Sequence, residues 1–258
     1  MKIFVLVKEV PDTYGDRKLN LETGLADRAA GDVVLDEITE RALEVALSYA
    51  DKNDGTEVVA VSMAPAGSTA SVRRALAIGA ASAVHIADED LAGADLGLTA
   101  EVLAAAIRRG APDLVITGNL STDGSGGVIP AMLAEHLGYA QATALGSVEI
   151  TADGVSGTRA ADAGGQQVSA PLPAVISITE ALPDARFPNF KGIMAAKKKP
   201  LEVLTLADLG VSADPSLAPR TIMTAVSEKP PRAAGVKITD EGDAADKLVE
   251  FLVQNRLV

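Results

Sequence analysis

The sequence predicts an α/β protein: a mostly parallel sheet with helices on both faces, an antiparallel addition and a C-terminal arm. Up to Gly138, short apolar runs alternate with helical patterns, and this order is typical of a doubly wound parallel sheet. The chain of 258 residues is 48% hydrophobic but only 3% aromatic, so Ala, Val, Ile and Leu must fill its core. A core of this composition favours helices packed on a sheet.

The first half of the chain supplies the parallel strands and their helices. Four apolar, β-branched runs predict buried strands at residues 3–7, 57–62, 83–87 and 114–117. Apolar residues at helical spacing predict helices at residues 36–49, 68–78, 96–109 and from near 127 to 138. Asp36 is the expected N-cap of the first helix, with Thr39 as the alternative, and Gly79 ends the second helix.

The segment between the first strand and the first helix is polar. Residues 8–16 predict a turn, and residues 17–34, with two polar interruptions, predict a β-hairpin. In an open α/β sheet, such a turn lies at the carboxyl edge of its strand, where ligands bind. A plain connecting turn is the alternative interpretation.

The second half of the chain changes pattern. Residues 147–151, 155–161, 166–170 and 174–178 predict strands of an antiparallel addition, separated by Gly- and Pro-containing turns. Residues 201–236 lose periodicity and are too long for an internal loop, so we interpret them as an arm that crosses another surface. Residues 244–256 recover an amphipathic pattern. We therefore expect a nucleotide-binding α/β domain at 1–200, and an arm with a terminal helix at 201–258.

Composition excludes several classes of protein. A net charge of −12 argues against nucleic-acid binding, and the lack of Cys excludes disulfides, thiolate metal sites and Cys nucleophiles. The two His residues lie far apart in sequence, so each is expected to be structural. No apolar run reaches membrane-spanning length and no signal-peptide pattern opens the chain, so we expect a protein in the cytoplasm.

A glycine-rich loop at residues 118–127 is the first candidate site. It joins an apolar strand to a helix start, a layout that presents backbone N–H groups and a positive helix end to an anion. Gly124, Gly126 and Gly127 leave room for close approach, and nearby hydroxyls can donate hydrogen bonds. The loop matches neither the Walker pattern nor the G-x-G-x-x-G pattern. An ordinary connection capped by Asp123 or Ser125 is the alternative.

A second candidate is the loop at residues 183–194. Two of the four Phe, Phe187 and Phe190, lie there beside Arg186 and Lys191, just before the three lysines at 197–199. On the residues alone, inward-packed rings with a solvated lysine face are the simpler interpretation. No nucleophile–base pair or carboxylate dyad stands out along the chain, which favours a non-catalytic role.

Taken in order, these pieces resemble the electron transfer flavoprotein β subunit over nearly the whole chain. The most specific stretches are Ile193-Met194-Ala195-Ala196 followed by three lysines, and the Pro-rich run at residues 230–237. Weaker matches are the Val-Leu-Val-Lys strand at 5–8 before a Pro-Asp turn, the run at 59–66, the glycine-rich segment after Thr117, and the stretch at 162–176.

The resemblance implies a Rossmann-like fold of the adenine nucleotide α-hydrolase type, paired with an α subunit. Such a heterodimer carries FAD, held mainly by α, and is not itself an enzyme. It passes electrons from acyl-CoA and related dehydrogenases, including those of fatty acid oxidation, to a membrane quinone oxidoreductase. A stand-alone adenine-nucleotide-binding regulator or nucleotide hydrolase of similar fold is the competing hypothesis.

The resemblance also implies an AMP site without redox function. Carried over by position, that site falls on Leu6, Asp36, Glu37, Ile38, Thr39, Met63, Gly118, Asn119, Leu120, Ser121, Thr122, Asp123, Gly124, Ser125, Gly126, Gly127, Val128 and Ile129. The family's loop commonly ends in a polar Gln/Asn–Thr–Gly run, whereas this loop continues with Gly-Gly-Val-Ile-Pro. Backbone donors are kept and polar side chains are fewer, so FAD at this position stays an alternative.

In the family, the segment near 183–194 is the recognition loop that docks onto dehydrogenases through one apolar anchor. Alignment of Ile193 and Met194 puts Phe190 at the anchor position, with Phe187 and Lys191 beside it. The resemblance thus reverses the interpretation of this loop, from packed core to exposed docking surface.

Overall fold

A ten-stranded sheet forms the centre of the fold in the part of the chain that the computed structural model describes, residues 1–218, 220–232 and 234–258. The strands, including a separate pair β2–β3, are β1 (Lys2–Leu6), β2 (Glu9–Pro11), β3 (Val33–Leu35), β4 (Glu57–Met63), β5 (Ser82–Ile86), β6 (Leu114–Gly118), β7 (Ala140–Leu145), β8 (Glu149–Ile150), β9 (Gly154–Ala161), β10 (Gly164–Pro171), β11 (Ala174–Ile178) and β12 (Leu201–Leu204). The helices are α1 (Glu37–Ala50), α2 (Thr69–Ile78), α3 (Leu96–Gly110), α4 (Ile129–Leu137), α5 (Phe190–Ala196), α6 (Leu206–Leu209) and α7 (Ala244–Gln254).

The strand order is β10-β9-β7-β11-β6-β1-β4-β5-β12, with β8 paired to β9. Neighbours from β7 to β12 run parallel, whereas β8, β9 and β10 pair antiparallel at one end. The predicted fold class, a mostly parallel α/β sheet with an antiparallel addition, is confirmed.

Both faces of the sheet are covered by helices, because the central strands carry apolar side chains on both sides. Along β1, Ile3 and Val5 pack into the cluster under α1 and α2, whereas Phe4 and Leu6 pack into the cluster under α3 and α4. Successive side chains of a strand point to opposite faces, so an uninterrupted apolar run fits only a strand buried on both sides.

The strand order reverses at β1. After β1 the chain builds outward through β4 and β5, and then returns to place β6 on the other side of β1. The connections that leave the carboxyl ends of β1 and β6 therefore lead to opposite faces of the sheet, which is the topology that places a crevice at the carboxyl edge of open α/β sheets. Ligands of open α/β sheets bind at this kind of crevice, and the glycine-rich loop begins there.

Two predictions for the second half of the chain are wrong. The sequence places residues 174–178 in the antiparallel addition, but β11 lies between β7 and β6 and runs parallel to both. All five residues of β11 are buried, as expected for a central parallel strand. The strand β7 is missing from the prediction because its sequence, AQATAL, has one β-branched residue and no clear alternation.

The segment before α1 also differs from its prediction. Residues 9–11 are predicted as turn but form β2, which pairs with β3. The predicted hairpin at 17–34 is reduced to a single bridge between Leu19 and Ala26, inside the long loop that β2 and β3 close. Pairing across such a distance leaves no local turn signal in the sequence.

The chain divides into a unit at Met1–Thr224 and a unit at Ala225–Val258, whereas the sequence suggests a boundary at residue 200. The difference arises because β12 and α6 belong to the first unit: β12 pairs with β5 at the sheet edge. Of the predicted arm, Pro219 and Ala233 lie outside the described residues. The second unit contains α7, in which no residue is buried.

In the described residues, no helix is long and apolar enough to cross a membrane.

Candidate functional site

The first candidate site lies where β1 and β6 end. Asp36 occupies the N-cap position of α1, as predicted, but its side chain does not cap that helix. Its Oδ2 accepts the backbone N–H of Thr122 at 2.9 Å. Thr39 donates its hydroxyl to the Asp36 carbonyl at 2.7 Å. Asp36 therefore ties the start of α1 to the glycine-rich loop.

Lys8, which follows the end of β1, is a member of the site that the sequence interpretation does not include. Its Nζ lies 2.7 Å from Oδ1 of Asp123 and donates to the Ser121 hydroxyl at 3.2 Å. Burial raises the pKa of Asp123, but hydrogen bonds from Lys8 and Ser121 and the charge of Lys8 lower it overall. The one sequence feature that could have placed Lys8 in this site is its position, as a cation directly after the first predicted strand.

The loop uses some of its own backbone donors. Gly124 donates its N–H to Asp123 Oδ1 at 2.6 Å, and Ser125 donates to the Ser121 carbonyl at 3.0 Å. By contrast, the N–H groups of Gly126, Gly127 and Val128 donate no hydrogen bond within the described residues. Among the described residues, the N–H groups of these three residues are therefore the loop donors that a ligand could use.

The helix after the loop begins two residues later than the sequence suggests. Its first residue is Ile129, and Pro130 lies in its first turn. Proline suits this place because it has the helical φ and needs no acceptor for an N–H. Gly127 has φ 66°, in the left-handed region that favours glycine, and so turns the chain into the helix.

The remaining predicted residues mainly position the backbone. Leu6 and Ile38 are buried. The side chain of Ile38 packs directly against Gly118, and a Cβ at position 118 would lie only 2.8 Å from it. Met63 ends β4, the strand next to β1, at the same edge of the sheet. The other members are Glu37 and Leu120, which are exposed, and Asn119, which is half-buried.

Ionisation of Asp36 is unfavourable in the folded protein. The residue is 1% exposed, and its Oδ1 has no hydrogen-bond partner among the described residues. Burial raises the pKa of this carboxyl, hydrogen bonds from Thr122 lower it, the charge of Asp123 raises it, and the net direction is upward. The folded chain therefore holds a proton on Asp36 more tightly than the unfolded chain does.

We expect Asp36→Asn to gain stability relative to the wild type as pH rises. Ionisation of Asp36 costs stability as pH rises from the unfolded pKa through the raised folded pKa, whereas Asn carries no charge and its Oδ1 can still accept from Thr122. Urea unfolding between about pH 4 and about pH 8 measures the difference. Asp123→Asn is the matched control with the opposite sign: because the pKa of Asp123 is lowered, its loss of stability relative to the wild type develops below about pH 4, as the pH rises, so this variant is also measured down to about pH 2. A relative gain for Asp36→Asn that shrinks with rising pH would contradict the prediction.

The second candidate site is the segment at 183–194, whose rings lie outside the core. Phe187 is 90% exposed and Phe190 is 79% exposed, and Lys191, Ile193 and Met194 are also exposed. The interpretation with rings packed inward is therefore wrong for this structure. The segment is also more regular than a loop, because α5 begins at Phe190. We call these five exposed residues, four apolar and one basic, the docking surface, after the role that the sequence predicts for them.

The three lysines behind the docking surface are not equivalent. Lys197 and Lys198 are exposed. Lys199 instead donates to the carbonyls of Leu76 at 2.9 Å and of Ala80 at 2.6 Å, at the C-terminal end of α2. A cation at this helix end is favourable, and burial lowers the pKa of Lys199. Lys199 is thus a structural residue that holds the chain after α5 against α2.

Comparisons with a family model and with curated relatives agree on one protein family. The family model described as electron transfer flavoprotein domain matches residues 23–209. The chain is 45% identical, over 99% of both chains, to the electron transfer flavoprotein subunit beta of Mycobacterium tuberculosis. It is 32% identical to the subunit of the same name from Syntrophomonas wolfei, over 98% of this chain and 96% of the relative. It is 29% identical to the caffeyl-CoA reductase-Etf complex subunit CarD of Acetobacterium woodii, over 100% of both chains.

Proposed function

This chain belongs to the electron transfer flavoprotein family as a β subunit, and from that premise we propose that it pairs with an α subunit as an electron carrier. The heterodimer would take electrons from acyl-CoA and related dehydrogenases and deliver them to a membrane quinone oxidoreductase. The observation that carries the docking role is the pair of exposed rings, Phe187 and Phe190, three residues apart in the chain. Large rigid rings are typical anchors of protein interfaces.

FAD would supply the redox chemistry, by accepting and releasing electrons, and would be held mainly by the α subunit. The contribution of this chain is binding and orientation rather than catalysis. Fatty acid oxidation as the source of electrons, and the cytoplasm as the location, stay predictions.

We assign AMP to the site at the ends of β1 and β6. The residues fit the group: the N–H groups of Gly126, Gly127 and Val128 are not engaged within the described residues, and α4 begins directly after them. Backbone donors at a helix N-terminus suit a phosphate. Lys8 is already paired with Asp123 and would add little net charge. FAD in this position is the alternative ligand.

The α subunit is the partner that we propose for the C-terminal part. The helix α7 is amphipathic, with Leu248 52% and Phe251 46% exposed, and residues 211–243 contain no helix or strand among those described. Segments of this kind are stable when a partner covers them. Their burial would enlarge the interface beyond the standard total of roughly 1,600 Å².

Co-expression with the α subunit tests the proposal. We expect a stable yellow heterodimer that releases AMP on denaturation and accepts electrons from an acyl-CoA dehydrogenase. A colourless monomer that hydrolyses ATP would overturn the proposal and support the competing nucleotide hydrolase. A stable lone monomer in which residues 211–236, which follow β12 and α6, are protected from protease would contradict the heterodimer.

A further inference from the structure

One end of the docking surface is fixed to α1 through Arg186, and Arg41 of α1 also pairs with Asp184, two residues earlier. Arg186 donates its backbone N–H to Glu44 Oε2 at 3.0 Å, its Nε to the same oxygen at 2.8 Å and its Nη2 to Glu44 Oε1 at 2.8 Å. Its Nη2 also donates to Asp51 Oδ2 at 2.8 Å. A two-pronged guanidinium–carboxylate pair fixes orientation as well as distance, because both groups are planar.

The other end is fixed to α2. Asn189 accepts the N–H of Gly192 at 2.8 Å and so caps α5. The backbone of α5 then approaches α2 so closely that a Cβ on Gly192 would lie 2.5 Å from the carbonyl oxygen of Ala77. Arg73, on α2, donates to the Ala196 carbonyl at 2.8 Å. The residues after Phe190 therefore have little freedom to move.

Between these two attachments lie residues 187–189 and the first turn of α5, which carry the exposed rings of Phe187 and Phe190. We propose that Arg186 is a positioning residue for dehydrogenase docking: through Glu44 and Asp51 it holds Phe187 and Phe190 in the binding arrangement before the partner arrives. This inference rests on the proposed docking function. An already ordered segment loses less conformational entropy on binding, so the affinity is higher for the same contacts.

The first measurement is electron transfer from an acyl-CoA dehydrogenase to the assembled heterodimer. Arg186→Ala should raise the half-saturating dehydrogenase concentration about tenfold, since several side chains must then be ordered on binding. The limiting rate at saturation and the flavin content should not change, because a positioning residue affects docking and not the electron-transfer step. Glu44→Gln should weaken docking in the same direction, since it removes the charge that holds Arg186.

A double-mutant cycle separates positioning from direct contact. If Arg186 acts through the rings, Arg186→Ala should have almost no further effect once Phe187 and Phe190 are both replaced by alanine. If Arg186 binds the partner itself, its removal should cost the same factor with or without the rings. That additive result would overturn the inference.

The chain offers a closely matched control. Arg74 pairs with Glu40 between α2 and α1, with side chains 45% and 13% exposed, compared with 37% and 15% for Arg186 and Glu44. Arg74→Ala removes the same charge and a similar ion pair without touching the docking surface. It should leave the half-saturating concentration unchanged. An equal effect of Arg74→Ala would show that net charge, not positioning, controls docking.

A second readout does not depend on any partner. Hydrogen exchange of peptides that cover residues 184–194 should be faster in Arg186→Ala than in the wild type, with Arg186→Lys in between. Faster exchange with unchanged docking would overturn the positioning role and leave the docking function intact. Unchanged exchange would show that Arg186 does not order this segment and would overturn the inference. A wild-type heterodimer that does not accept electrons from dehydrogenases would overturn the proposed function. If hydrogen exchange still responds to Arg186 in that case, Arg186 orders the segment but has no role in docking.

Discussion

Phe190→Ala should raise the half-saturating dehydrogenase concentration about thirtyfold, because truncation of a central anchor ring typically costs about 2 kcal/mol or more. The ring is 79% exposed, so its removal leaves no cavity and should not lower the stability of the fold. The effect should appear as weaker docking, with flavin content and the limiting rate unchanged. Steady-state transfer measured across dehydrogenase concentrations separates the two quantities.

Two further variants make this test specific. Phe190→Leu keeps an apolar side chain at this position and should retain most of the affinity, because much of the apolar contact area remains. Phe187→Ala tests the neighbouring ring, which is 90% exposed. If Phe190→Ala accepts electrons like the wild type at every dehydrogenase concentration, Phe190 is a spectator and the docking assignment is wrong. If only Phe187→Ala is impaired, the anchor lies three residues earlier in the chain than the alignment predicts.

Gly126→Val should abolish AMP binding and leave the fold intact. A Cβ at Gly126 would meet only Leu96, at 3.5 Å, which is ordinary contact, so the free protein can accept the side chain. The same side chain would stand beside the N–H groups that we assign to the phosphate. Chromatography of the nucleotide released on denaturation should find AMP in the wild type and none in the variant.

Gly165→Val is the matched control for this prediction. A Cβ at Gly165 meets nothing within 4 Å, and the residue lies in β10, in the antiparallel addition. The control should retain AMP. Full AMP content in Gly126→Val would place the phosphate elsewhere, and a loss of AMP in both variants would point to a general effect of valine. A wild type without nucleotide would contradict the AMP assignment but not the electron-carrier function.

The elements that can be predicted from the sequence are those formed by local apolar patterns. The strands β1, β4, β5 and β6 and the helices between them follow from runs of β-branched residues and from helical spacing, and all of them form. The strand β11 also forms where expected, but its pairing does not follow from its own residues. Its neighbours in sequence are antiparallel, whereas its place beside β6 is set by the sheet as a whole.

The polar contacts of the sites were harder to predict. Asp36 has the right place for an N-cap, yet its carboxylate binds Thr122, 86 residues later. Arg186 and Glu44 are separated by 142 residues, so no spacing rule connects them. The exposure of Phe187 and Phe190 opposes the general tendency of rings to be buried, and only the family resemblance anticipates it. Contacts of this kind depend on the completed fold.

The pairing of β12 with β5 determines where the chain can be shortened. A fragment that ends at residue 200, the apparent boundary in the sequence, would leave β5 as an open edge with its backbone N–H and C=O groups unpaired. Such an edge invites strands from other copies, so the fragment should associate or precipitate. A fragment that ends at Thr224 keeps β12 in place, and it is the better choice for expressing the α/β unit without its C-terminal segment.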